Sequence, residues 1–83
     1  MYPPEFYGSK VGEDPNRFLD EVYNVLAIMG VSSIQKPYLA ADQLKGVSQL
    51  WYEQWEYNRP IEAGSIEWET FKSAFLDRLF LGN

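Results

Sequence analysis

Apolar positions recur at the helical period along most of this chain, and the densest run is Leu39 to Trp55. Before Gly46, Ala40, Ala41 and Leu44 share one stripe; after it Val47, Leu50, Trp51 and Trp55 share another. Two amphipathic helices are therefore predicted to meet at the glycine. Trp51 and Trp55, one turn apart, would each bury roughly 150 to 250 Å² and dominate the core of a small protein. Phe18, Val22, Val25, Leu26 and Met29 mark an earlier helix on one face. Trp68, Phe71, Phe75 and Leu79 mark a last one. Leu76, Phe80 and Leu81 widen that last stripe beyond what one flank needs, which implies a central helix or one that touches something outside the chain.

Stop and start signals set the boundaries at residues 15–29, 34–45, 47–57 and 67–80. Asp14 can cap free N–H groups while Pro15, at the first helical position, has none to lose. Gly30 stands where a left-handed cap ends the first helix. Ser32 to Gln35 fits a capping box, but Pro37 then falls inside the second helix, so its first turn is expected to be irregular. Lys45 suits the negative end of that helix, and Gly46 ends or bends it. The third helix stops ahead of Asn58-Arg59-Pro60, and after a loop through Gly64 either Ser65 or Glu67 begins the fourth. Residues 1–12 hold two prolines, two glycines and the rings of Tyr2, Phe6 and Tyr7. They read as an extended arm pinned by ring burial, with a strand edge to which a peptide could add. The expected fold is all-α: a small bundle of about four helices behind an extended N-terminal arm, one domain across residues 1–83.

Composition narrows what such a bundle can do. A chain of 83 residues hides about 60 to 65% of its unfolded surface. With 46% of residues hydrophobic and 17% aromatic, it reads as a packed globule rather than a disordered segment. Cysteine and histidine are both absent. That removes disulfides, thiolate metal sites, the commonest metal ligand and the side chain that titrates near neutrality. No catalytic residue, metal or cofactor is expected. The net charge of −5 opposes binding to phosphate backbones, so no direct contact with nucleic acid is expected. No apolar run approaches the roughly 18 residues of a membrane span, no signal peptide opens the chain, and Met1-Tyr2 lacks the glycine for myristoylation. A soluble, cytoplasmic domain is the expectation.

Three acidic clusters are candidates for acid–base chemistry: Asp20 with Glu21, Glu53 with Glu56, and Glu67 with Glu69. Each sits on a polar helix face or near a helix start, without a nucleophile or histidine beside it, so a solvated surface is the better reading. Gly8 to Gly12 lacks the Gly-Lys-Ser/Thr ending of a phosphate loop and runs into Glu13-Asp14. Trp51, Trp55, Trp68 and Phe71 could cage a ligand, but aromatics at helical spacing are more often core. Tyr23, Tyr38, Tyr52 and Tyr57 fall partly off the stripes and suit a contact surface, because tyrosine buries area and keeps a polar tip.

The order of features carries a resemblance. Pro4-Glu5-Phe6-Tyr7-Gly8 is followed by Asp14-Pro15 with Phe18-Leu19 and Met29-Gly30-Val31. Leu39-Ala40-Ala41 to Leu44-Lys45-Gly46 comes next, then Leu50-Trp51-Tyr52, and then Ile66-Glu67-Trp68-Glu69-Thr70-Phe71-Lys72 through Phe75-Leu76 to Phe80. Over nearly its whole length the chain resembles the N-terminal capsid lobe of Gag from gypsy-class LTR retrotransposons. The resemblance implies a helical lobe with Leu44, Trp51, Trp55, Trp68, Phe71 and Phe75 as its core signature. It implies self-assembly with other Gag lobes into a virus-like shell, the isolated lobe being a monomer or weak dimer. The family's C-terminal lobe and its Cys-Cys-His-Cys zinc knuckle have no counterpart in this sequence, as in one lobe taken from a longer Gag or in a reduced, domesticated derivative. Domesticated relatives of the Arc type suggest the alternative, an adaptor that takes short hydrophobic peptides beside the arm. Phe6, Tyr7, Tyr38 and Tyr52 are the candidate contacts.

Overall fold

A computed structural model describes residues 4–8 and 11–81, with side chains through Leu79. Tyr2, the Ser9-Lys10 part of the glycine loop and the rings or side chains of Phe80 and Leu81 lie outside the described residues. The order is α1 (Pro15–Ile28), α2 (Lys36–Ala41), α3 (Gly46–Tyr57), a 3₁₀ turn at Ile61–Ala63, and α4 (Trp68–Leu81). No strand occurs among the described residues; Phe6 and Leu44 form an isolated parallel bridge. The body is flat, 35 × 33 × 17 Å.

The first helix follows its signals. Asp14 accepts from the N–H groups of Asn16 and Arg17 at 3.0 and 3.4 Å, and Pro15 opens the helix. At the other end Gly30, at φ +81°, donates to the Ala27 carbonyl while Val31 donates to that of Leu26. This is the paired 6→1 and 5→2 bonding of a Schellman motif. Phe18, Leu19, Val22 and Leu26 are buried, but Met29, expected on the same face, is exposed because the helix has already ended.

The second helix is shorter than the pattern predicted. It begins at Lys36, so Pro37 sits in its first turn, where the missing N–H costs nothing. Ser32 supports the preceding turn by accepting from the Gln35 N–H at 3.3 Å. Residues 42–45 leave the helix because the arm takes them. Phe6 N–H donates to the Gln43 carbonyl at 3.0 Å, and Lys45 N–H donates to the Phe6 carbonyl at 2.8 Å. Gly46 thus opens α3 instead of ending α2, and its φ of +57° lies in a region costly for any residue with a Cβ.

The third helix presents a different face to the core from the one its apolar stripe predicted. Ser48 and Tyr52 are buried, Trp51 and Trp55 are half-buried, and Val47 and Leu50 are 52% and 60% exposed. The buried line is displaced by one residue from the apolar line, a rotation of about 100°. The cause is the arm. Ser48 N–H donates to the Tyr7 carbonyl at 3.2 Å, and the Ser48 hydroxyl lies 2.8 Å from the Phe6 carbonyl oxygen and 2.7 Å from that of Lys45. The arm therefore supplies the acceptors that a capping side chain would supply elsewhere, since Lys45 caps nothing with its own.

Phenylalanine rather than tryptophan holds the centre. Phe6, 3% exposed, lies 5.3 Å from the Phe18 ring and 5.1 Å from the Phe75 ring, and Phe71 stacks on Phe75 at 6.0 Å. Arm, α1 and α4 meet in that cluster. Leu44, Phe71 and Phe75 are buried core residues as expected, whereas Trp51, Trp55 and Trp68 pack around its edge. Trp51 and Trp55 stack on one another at 5.8 Å, and Trp51 reaches Phe75 at 5.8 Å. Ile66 is buried ahead of α4, where its N–H donates to the Tyr38 hydroxyl at 3.1 Å.

Candidate functional site

The displaced face of α3 leaves apolar surface in water. Val47 and Leu50 stand exposed, with the half-buried indole of Trp51 beside them. Where this face meets the arm and α4 there is a groove of about 210 Å³. Its lining includes Gly8, Val47, Trp51, Arg78 and Leu79, with the core ring of Phe75 as part of its wall.

The arm beside this groove does not offer the free strand edge expected of it. Tyr7 N–H donates to Glu13 Oε2 at 2.8 Å and Gly8 N–H donates to Glu13 Oε1 at 2.9 Å. With Phe6 N–H held by Gln43, every backbone donor from Phe6 to Gly8 is in use. The same bonds dispose of the phosphate-loop reading at Gly8, whose amide already faces a carboxylate of its own chain.

The four candidate contact residues fall in different settings. Phe6 is in the core and offers nothing to a partner while the fold is intact. Tyr7 is half-buried in the arm. Tyr38 and Tyr52 are brought together across α2 and α3, where both line a cavity of about 390 Å³ with Asp42, Glu53 and Glu56. Tyr38 keeps 38% of its surface exposed while its hydroxyl accepts from Ile66. Tyr52 is buried and donates its hydroxyl to Glu56 at 3.0 Å. Burial first, and then the hydrogen bond and charge of Glu56, push the Tyr52 phenol well above its ordinary range.

Of the remaining tyrosines, Tyr57 is almost fully exposed and Tyr23 lies 5.1 Å from Trp68. The three acidic clusters do not meet in one site: Asp20 and Glu69 line one cavity, and Glu53 and Glu56 another. Glu21 pairs with Arg17 on the surface of α1, Glu53 accepts from Gln49 at 3.4 Å, and Glu56 is engaged with Tyr52. Among the described residues no group of three His, Cys, Asp or Glu is placed to hold a metal ion. The four aromatics that could cage a ligand form two pairs: Trp51 with Trp55 on α3, and Trp68 with Phe71 on α4 at 5.7 Å. Helical periodicity alone hides the α3 face, because it places Val47 and Leu50 on the apolar stripe that should be buried.

Among the described residues no helix is long and apolar enough to cross a membrane. No protein-family model, no curated protein and no solved structure matches the chain.

Proposed function

We propose that this domain is a structural contact lobe of the Gag capsid type, working in the cytoplasm, whose copies meet side by side in an assembly. The observation that carries the reading is the exposure of Val47 and Leu50 next to Trp51 on α3. Two aliphatic side chains and an indole edge form a small patch, suited to weak contacts that add up when many copies are arrayed. The reading needs no catalytic group and no direct hold on nucleic acid, in keeping with a charge of −5.

The test is to display the domain in many copies on a symmetric carrier and follow particle association by light scattering. Wild-type arrays should associate and Leu50→Glu arrays should not. Equal association of the two would remove the reading.

The groove of about 210 Å³ beside Gly8 favours a second reading, an adaptor for short hydrophobic peptides. Because the backbone donors of Phe6 to Gly8 are taken, such a peptide would bind by burying a side chain against Trp51 and Leu79 rather than by adding a strand. An NMR titration with hydrophobic peptides separates the two readings. Shifts at Gly8, Trp51 and Leu79 in the monomer support the adaptor; their absence at millimolar peptide excludes it.

A further inference from the structure

Lysine is among the residues least often buried, yet Lys36 is only 7% exposed. Its ammonium donates to the Val31 carbonyl at 2.8 Å and stands 5.1 Å from the centroid of the Tyr23 ring. Among the described residues it forms no ion pair; that of Arg17 with Glu21 is elsewhere on α1. An ammonium carries three N–H donors, and a buried charge is costly until it is paired. Lys36 thus holds donors in reserve.

Lys36 lines a cavity of about 460 Å³ between α1, the turn ahead of α2 and the start of α4. Tyr23 and Trp68, 5.1 Å apart, form an aromatic wall, and Lys72 and Ser33 add a second cation and a hydroxyl. Asp20 and Glu69 also line this space, but both are exposed and their charge is screened by water. The buried ammonium acts through a lower dielectric, so its sign sets the preference inside.

We infer that this cavity binds a carboxylate carried beside an apolar or aromatic group, as on an acidic segment of a protein partner. The carboxylate takes the spare N–H groups of Lys36 and the charge of Lys72, and the neighbouring group packs on Tyr23 and Trp68. The volume fits, since ligand cavities run from about 300 to 1,000 Å³. The inference is independent of the assembly reading, because this cavity shares no lining residue with the groove beside α3.

The test is an NMR titration of the intact chain with Ac-Gly-Asp-Phe-Gly-amide and, in parallel, its Asn counterpart. The Asp peptide should shift the Tyr23 and Lys36 amides and the Trp68 indole N–H, and the Asn peptide should bind about tenfold or more weakly. Lys36→Met keeps the aliphatic stem and should abolish the response, while Lys72→Gln should weaken it. No shift at millimolar peptide, equal binding of the Asn peptide, or unchanged binding by a Lys36→Met variant with a native spectrum overturns the inference. If Lys36→Met does not fold, unchanged binding by Lys72→Gln does so. A dilution series without peptide identifies the source of the carboxylate. Movement of the same resonances with protein concentration assigns it to a second copy of this acidic chain, and peptide-dependent shifts alone assign it to another protein. A Leu50→Glu variant should bind the Asp peptide as wild type does.

Discussion

The Ser48 hydroxyl lies 2.8 Å from the carbonyl oxygen of Phe6, a residue of the arm 42 positions earlier. Its single proton is shared with the Lys45 carbonyl at 2.7 Å, so one buried side chain joins the arm to the first turn of α3. Ser48→Ala should cost about 1 to 2 kcal/mol in urea unfolding, since it leaves a buried carbonyl with one donor fewer. Ser73→Ala, on the exposed side of α4, is the control and should change stability by less than about 0.5 kcal/mol.

Glu13 closes the arm from its other side. Glu13→Ala frees the N–H groups of Tyr7 and Gly8, and bonds to an ionised acceptor are worth about 1.5 to 3 kcal/mol together with their desolvation. Hydrogen exchange at those two amides should accelerate far more than exchange at Val22 or Leu26 in α1. Uniform acceleration would mean that the carboxylate holds the whole fold instead of the arm.

Tyr52 gives the protein an alkaline limit. Its phenol ionises above the ordinary value of 10.0 in the folded state, so between the unfolded and folded values the native chain binds the extra proton. The stability it contributes is complete below pH 10 or so and falls as the pH rises beyond that. A phenolate absorbance titration should lose a late-ionising phenol in the Tyr52→Phe variant, which should also lack part of the alkaline loss of stability.

Core and surface aromatics and aliphatics should separate cleanly. Phe75→Ala removes a ring shared by Phe6, Phe18, Trp51 and Phe71 and should cost about 3 to 5 kcal/mol. Leu50→Ser, on the outer face of α3, should cost under about 1 kcal/mol by thermal melting. A large loss from Leu50→Ser would place that residue in the core after all.

Association through the α3 face should respond to salt in a set direction. Each copy carries −5, and like charges oppose assembly until ions screen them. Raising sodium chloride should strengthen the association of arrayed copies, as read by sedimentation. Weakening would mean that ion pairs, not apolar contact, bring the copies together.

Local chemistry was enough for α1, because Asp14, Pro15 and Gly30 act within a turn of where they stand. It failed where distant segments compete. Residues 42–45 read as helix until the arm arrives to pair with them, and nothing near Leu44 announces Phe6 as its partner. The face of α3 differs from its periodicity for the same reason: Ser48 is buried only because its donors find the carbonyls of Phe6 and Tyr7. Lys36 left no mark in the pattern, since periodicity treats a lysine as solvent-facing wherever it falls. Both surfaces now proposed for binding arise at such long-range contacts.

Synthesis runs from the N-terminus, so the carbonyls that finish the start of α3 are made first and used late. The Phe6 carbonyl must wait for Lys45, and that of Tyr7 for Ser48, to leave the ribosome before either acceptor finds a donor. Until then the nascent polypeptide has α1 available to fold locally, while the Phe6 ring and the arm around it are still unclaimed.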